Sequence, residues 1–291
     1  MQVILHIGAH CTDEDRIVTT LMRNDDLLAE HGSMAPSPTV CRNFLRETLF
    51  AMSKASGRRV SRDEVLREIL GDKTTDRLIL SNQNFVCQPP RIFDGGEFYR
   101  LASKRLADLS QLFEGDELEL YLSIRNPATF LSDVYGKIEG KTFDAFLNGV
   151  DPLSIQWSDM IYRIRESAPN LPMTTWCNED LPLLWGYLVR DIAGLPYGVR
   201  MKGSFAIIRE IMSQEGMLRF RNYLAKQPPK NEVHMRRVIA AFLDKYAMDD
   251  AIEEEITTPG LSEALLVQMT EAYEEDLYEI ERIPGVNFLT P

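Results

Sequence analysis

The sequence predicts an α/β fold, a three-layer sandwich around a mostly parallel sheet, followed by a helical C-terminal half. Short apolar runs rich in β-formers recur at 2–7, 77–81, 118–124 and 172–176. Helical patterns separate these runs, and strands that alternate with helices require parallel pairing with helices on both sheet faces. From residue 154 onward helical periodicity dominates.

Taken in order, the first strand runs out at Gly8, and a polar turn then leads into an amphipathic helix over 15–31 that stops at His31-Gly32. The next helix, 39–55, carries Val40, Phe44, Leu45, Leu49 and Met52 at the three-and-four spacing of one buried face. Further helices are predicted over 61–70, 97–113 and 127–139, and then over 154–168, 181–194, 204–225, 230–248 and 260–283. Gly194-Leu195-Pro196 and Gln227-Pro228-Pro229 punctuate the later ones, and Pro259-Gly260 opens the last. That last helix sets Glu271, Glu274, Glu275, Asp276, Glu279 and Glu281 against an apolar stripe that includes Leu265, Met269, Tyr273 and Ile280. It reads as a solvated acidic face over a core stripe. No repeat, low-complexity tract or long linker interrupts the chain. A single domain over 1–291 is expected, with an α/β core over 1–200 and a helical extension over 201–291.

The 291 residues include 32 basic and 44 acidic side chains, a net charge of −12. Such a surface argues against broad nucleic-acid or anionic-membrane partners, which need basic patches. The four cysteines, Cys11, Cys41, Cys87 and Cys177, lie far apart without metal-ligand spacing. No apolar run approaches the roughly 20 residues of a membrane span, and no basic leader precedes the first strand. A cytoplasmic protein with reduced thiols and no metal is expected. Within this acidic chain the 200–237 stretch is locally basic (Arg200, Lys202, Arg209, Arg219, Arg236 and Arg237 among others); it suits an anionic ligand or the chain's own acidic elements, and a solvated face with intramolecular pairs is the plainer reading.

Residues 8–16 hold the densest functional information. A strand, a tight turn and a helix N-terminus form an anion cradle, because unpaired backbone N–H groups and the helix dipole converge there. The turn, however, reads Cys11-Thr12-Asp13-Glu14-Asp15, with three carboxylates and no lysine. Acidic and hydroxyl side chains favour the first turn of a helix with no bound anion. Thr12 or Asp13 is therefore expected as N-cap, with Glu14 and Asp15 in the first turn. Cys11 at a helix N-terminus, with His10 beside it, is a candidate nucleophile and base pair, although the carboxylates favour the neutral thiol and a packing cysteine is the plainer reading. His6, His10, Cys11, Asp13 and Asp15 suit a metal by type. His6 falls inside the strand, and one turn does not present so many adjacent groups to a single ion.

These residues, with four later segments, resemble the sulfotransferases that use 3′-phosphoadenosine 5′-phosphosulfate (PAPS), in particular their divergent bacterial members. That family's first strand ends in a run like His-Ile-Gly-x-His-Lys-Thr-Gly-Thr-Thr, the 5′-phosphosulfate loop. Here His6-Ile7-Gly8-Ala9-His10 matches, Cys11 stands at the lysine, Asp13 at the glycine, and Glu14 and Asp15 at the two threonines. The family's 3′-phosphate element is similar to Ser123-Ile124-Arg125-Asn126-Pro127 followed by Tyr135, with Asp133 at the family serine and Ser132 one place early. Trp176-Cys177-Asn178-Glu179-Asp180-Leu181 resembles a third element, a strand followed by Tyr-Glu-Asp-Leu. Residues 273–276 and 283–286 are similar to the family's C-terminal region. Ser81-Asn82-Gln83 stands where related bacterial proteins carry Ser-Ser-Glu, whose carboxylate is a candidate base.

The resemblance implies a P-loop-derived sulfotransferase-like fold, with PAPS or its desulfated product PAP as cofactor if the chain is active. On that mapping Gly8, His10, Thr12, Arg125 and Ser132 are the cofactor-binding candidates, vestigial or weak. Sulfuryl transfer rests on positioning and charge neutralisation. A thiol does not replace an ammonium, and Asp13 does not take glycine-only angles cheaply. Each carboxylate facing the phosphosulfate costs on the order of 4 kcal/mol at 4 Å and an effective dielectric of 20. Gln83 accepts no proton. The expectation is a sulfotransferase-like protein with an eroded PAPS site that is non-catalytic or takes a different, small anionic ligand. The alternatives are an active sulfotransferase acting on an unknown hydroxyl or amine, and an interaction protein, such as a homo-oligomer burying its C-terminal helices.

Overall fold

β1 (Gln2–His6) sets four consecutive buried side chains at the centre of the molecule. The computed structural model of the chain describes residues 1–52, 60–248, 256 and 258–291. Five more strands join β1: β2 (Ser33–Met34), β3 (Arg77–Ser81), β4 (Glu117–Ile124), β5 (Met173–Cys177) and β6 (Val286–Leu289). They lie in the order β2-β3-β1-β4-β5-β6 with every pairing parallel. A sheet expected to be mostly parallel is therefore wholly so among the described residues. Both faces are apolar with a period of two, as buried parallel strands require. Val3, Leu5, Leu78, Leu80, Leu120 and Leu122 face one layer; Ile4, Ile79, Tyr121 and Trp176 face the other.

The first layer is built by α3 (Pro38–Met52), α4 (Arg62–Leu70), α5 (Ala102–Leu112), α6 (Pro127–Gly136), α7 (Phe143–Leu147), α8 (Trp157–Ser167) and α13 (Glu263–Glu281). On the other face lie α1 (Arg16–Met22), α2 (Asp25–Glu30) and α9 (Leu181–Ile192). Outside α9, α10 (Ala206–Ile211), α11 (Gln214–Lys226) and α12 (Glu232–Tyr246) close a small core of their own around Phe220. Local chemistry explains several starts. Ser61 and Glu64 form a reciprocal capping box on α4, and Asn126 caps α6 ahead of Pro127.

Several expected boundaries move. The helix expected over 15–31 breaks at Asn24, whose amide donates to the Thr20 carbonyl at 2.8 Å and exchanges two further bonds with the Lys202 backbone. This buried asparagine takes up the backbone groups that a continuous helix would have paired. The helix expected from residue 97 begins at Ala102, because Tyr99 stands at φ +49°, outside the right-handed helical region. The helix expected over 204–225 is two, divided where Met212 turns extended and Ser213 caps α11. Of the helix expected over 39–55, the described part ends at Met52, and 53–55 lie outside the described residues. The chain after residue 201 is not purely helical, since β6 returns to pair with β5 at the sheet edge. Asp276 of α13 fastens that return, its carboxylate accepting from the Trp157 and Ser158 backbone amides at 2.7 and 3.2 Å and from the Ser158 hydroxyl.

Candidate functional site

β1, β3, β4 and β5 end at His6, Ser81, Ile124 and Cys177 on one edge of the sheet. There the chain order reverses, with β3 on one side of β1 and β4 on the other, and such a switch point is where open parallel sheets hold their ligands. The loop after β1 rises into it. Gly8 has φ +35°, and a Cβ there would stand 3.3 Å from the Thr12 hydroxyl and 3.4 Å from His6 Nε2, so only glycine fits without displacement. The Thr12 hydroxyl folds back to the Ala9 carbonyl at 2.8 Å. The loop is anchored by Ala9 N–H on the Ser123 carbonyl, His10 N–H on the Tyr99 hydroxyl and Cys11 N–H on the Gln83 side-chain oxygen. Among the described residues, no protein group accepts from the backbone N–H of Asp13, Glu14 or Asp15.

The three acidic residues behave differently from one another. Asp13 does the capping: its Oδ2 accepts from Ile17 N–H at 3.0 Å, and its carbonyl accepts from Arg16 N–H at 2.8 Å. Glu14 and Asp15 lie before the first turn of α1 rather than in it, and Asp15 occupies the cap position without a side-chain cap bond. Backbone strain falls not on Asp13 but on Cys11, Glu14 and Asp15, at φ +58°, +46° and +65°. Each such residue costs on the order of 1–2 kcal/mol.

Cations from elsewhere in the chain meet the remaining carboxylates. Arg42 of α3 grips Asp15 with both terminal nitrogens, at 2.8 and 2.5 Å, and also donates to the Ser81 carbonyl. The Arg42 hydrogen bonds hold the Asp15 carboxyl below its ordinary range. Lys137, just past α6, reaches Glu14 at 3.2 Å. Burial works against its ammonium, and the neighbouring Cys11 and Glu14 outweigh that, so its pKa is raised. Arg125, buried at the end of β4, donates to the Cys11 carbonyl at 2.7 Å, to Asp133 at 2.5 Å and to the Thr129 hydroxyl at 3.0 Å. The structure therefore brings Gly8, His10, Cys11, Thr12 and Arg125 together. Ser132 is bound instead to the Thr258 hydroxyl at 2.8 Å, and the Tyr135 hydroxyl donates to the Lys141 carbonyl.

The candidate nucleophile Cys11 and base His10 are both buried. His10 is 1 % exposed, and burial lowers its pKa to about 4. Its Nε2–H donates to Asn84 Oδ1 and the Cys87 carbonyl, each at 3.1 Å, while Nδ1 accepts from the Tyr99 hydroxyl at 2.6 Å. Burial raises the Cys11 thiol above its ordinary value. His6 lies in β1 with Nδ1 on the Ser81 hydroxyl, and its buried Nε2 has no partner. Among the described residues no three His, Cys, Asp or Glu side chains converge as a metal site, and no helix is long and apolar enough to cross a membrane.

Arg42, Lys137, Tyr99 and Asn84 escaped the sequence reading because each is remote from the loop and sits in no local pattern. From sequence, the three carboxylates of the turn read as caps of the helix N-terminus, and no cation is assigned to them.

No family model and no curated protein matches the chain. Among solved structures, a sulfotransferase from Alicyclobacillus acidocaldarius is similar at 12% identity and a TM-score of 0.41, covering 82% of this chain and 97% of that one. Retinol dehydratase in a complex with retinol and PAP is similar at 12% identity and a TM-score of 0.35, covering 100% of this chain and 83% of its own.

Proposed function

We propose that this chain is a sulfotransferase-like protein that has given up PAPS and is non-catalytic or serves a different ligand. One observation carries the reading: three cations at the mouth of the loop are each bound to a carboxylate that stands at or beside a cofactor position. These pairs are Arg42–Asp15, Lys137–Glu14 and Arg125–Asp133. A phosphosulfate entering here would meet negative charge already in place, and no lysine within the loop to offset it. The residues present do not fit the cofactor, and no transfer step is assigned to them. Titration calorimetry with PAP is the test, with no heat of binding expected up to millimolar ligand. Micromolar affinity that weakens in Arg125→Ala would overturn the reading.

A second reading, an active sulfotransferase with an altered loop, draws on the open backbone N–H groups of Asp13, Glu14 and Asp15 above the unpartnered His6 Nε2. Transfer of labelled sulfate from PAPS to a hydroxyl or amine acceptor in a broad screen would favour it, and silence across such a screen would count against it.

A further inference from the structure

Beside the loop, across Arg42 and Asn84, lies a cleft of about 560 Å³ between α3 and the segment after β3. Its charge runs opposite to that of the whole chain. Where the chain has 44 acidic residues against 32 basic ones, the cleft wall has, among the described residues, four arginines (Arg42, Arg46, Arg91 and Arg105) against Glu47 alone. Two of the four are committed: Arg42 to Asp15, and Arg91 through its Nε to Asp94 at 2.6 Å. Arg105 is loosely held, 3.4 Å from the Leu49 carbonyl and 3.7 Å from Asp108. Arg46 lies one helical turn beyond Arg42, so both point from the same side of α3. Among the described residues, Arg46 has no hydrogen-bond or ion-pair partner.

The rest of the wall fits an organic ligand better than a bare ion. The amide nitrogens of Asn82 and Asn84 donate to no protein acceptor among the described residues, their side-chain oxygens being used by Asn84 N–H and His10 Nε2–H. Leu49, Phe85 and Val86 supply an apolar surface next to them. Guanidinium forks match the planar or tetrahedral oxygens of carboxylate, sulfate and phosphate, and bind them through charge-assisted hydrogen bonds. An apolar wall with a few convergent polar donors is the usual make-up of a small-molecule site.

We propose that this cleft is a binding site for an organic anion, an apolar or aromatic body bearing one oxyacid group. Arg46 and Arg105 hold the acid group, Asn82 and Asn84 orient the ligand, and Leu49, Phe85 and Val86 receive its body. The inference goes beyond the reading of the loop and stands whether or not the loop takes PAP, because Arg46 and Arg105 do not touch the loop.

Calorimetry of the full chain at low salt tests it with 4-nitrophenyl sulfate, 4-nitrophenyl phosphate, 4-nitrobenzoate, neutral 4-nitrophenol and inorganic sulfate. At least one aryl anion should bind, 4-nitrophenol and inorganic sulfate each about tenfold or more weaker, and the preferred anion shows which oxyacid is taken. Arg46→Gln, at an exposed position with no partner to lose among the described residues, should weaken the aryl anion about tenfold, as should Arg105→Gln, with circular dichroism unchanged. PAP serves as the separate arm for the loop: PAP binding that Arg125→Ala abolishes and Arg46→Gln leaves intact would overturn the loop reading alone. Binding of 4-nitrophenol as tight as its anions, no aryl anion bound at millimolar ligand, or indifference to both arginine variants would overturn the cleft.

Discussion

His10 shows how burial decides what one side chain can do. Its ordinary pKa of 6.5 falls to about 4 in the fold, because burial outweighs the bonds to Asn84 and the Cys87 carbonyl that favour the charged ring, and the nearby Lys137 ammonium pushes the same way as burial. The folded value lies below the unfolded one, so the stability involved is fully present above about pH 6.5 and is lost as pH falls towards 4. Within that window the unfolded chain takes up a proton that the folded chain refuses, at about 1.4 kcal/mol per pH unit, or about 3 kcal/mol in all. His6 is displaced in the same direction by its own burial and adds to the slope. Urea unfolding from pH 8 to 4 should therefore show a steep loss of stability well above the range in which Asp15, held low by Arg42, gives up its ion pair. His10→Gln should be less stable at pH 8 and should flatten the slope by close to one proton. A variant with the wild-type slope would mean that His10 is protonated inside the fold. Sequence placed His10 in the loop correctly; what it could not supply was Tyr99, eighty-nine residues away, which turns a candidate base into a locked strut.

At the scale of elements, the strands were legible because apolar runs of β-formers leave few alternatives, and the long amphipathic helices because their stripes repeat. What escaped notice was short or broken. β2 has two residues and β6 four, too few for any period, and the break between α10 and α11 lies in a stretch whose apolar spacing continues across it. At that break Met212 pairs antiparallel with Ala247, the Ser213 N–H donating to the Tyr246 carbonyl at 2.9 Å and the Met248 N–H to the Ile211 carbonyl at 2.8 Å, and α11 then approaches α12 closely at Gly216. A Cβ there would stand 2.4 Å from Tyr246 Cβ and 2.8 Å from Met212 Cγ. Gly216→Ala should therefore cost about 1–3 kcal/mol through overpacking, offset by roughly 1 kcal/mol of helix propensity. Gly136 at the end of α6 is the control, since a Cβ there meets nothing within 4 Å. Gly136→Ala should leave the melting temperature unchanged or slightly raised, while Gly216→Ala lowers it. Equal shifts for the two in thermal melts would sink the close-approach account.

Over the whole molecule, the parallel sheet gathers three segments that are far apart in sequence. The loop 8–15 follows β1, Ser81-Asn82-Gln83 follows β3, and Arg125 to Asp133 follow β4, and all three meet at one switch point. Sequence revealed the departures of each segment separately. Only the fold shows that they are complementary: Gln83 takes the Cys11 amide, Arg125 the Cys11 carbonyl, and Arg42 and Lys137 the two strained acids. Opposite charges from distant elements are matched there: Arg42 with Asp15, Lys137 with Glu14 and Arg125 with Asp133. If charge is what excludes PAP, restoring it should readmit PAP. The variant Cys11→Lys, Asp13→Gly, Glu14→Thr, Asp15→Thr and Asp133→Ser places a lysine and a glycine in the loop and removes four carboxylates from around Arg42, Lys137 and Arg125. It relieves no backbone strain, because Asp13 is not at positive φ, while a lysine and two β-branched threonines come to stand at the positive φ of positions 11, 14 and 15. Each like-charge contact removed is worth on the order of 4 kcal/mol at an effective dielectric of 20, ample to convert silence into measurable affinity. Calorimetry should show PAP binding in this variant and none in the parent, weakening as ionic strength rises and vanishing when Arg125→Ala is added. If the variant keeps the parent's circular dichroism and still ignores PAP, charge is not what bars the cofactor, and the shape of the cradle would have to account for its exclusion.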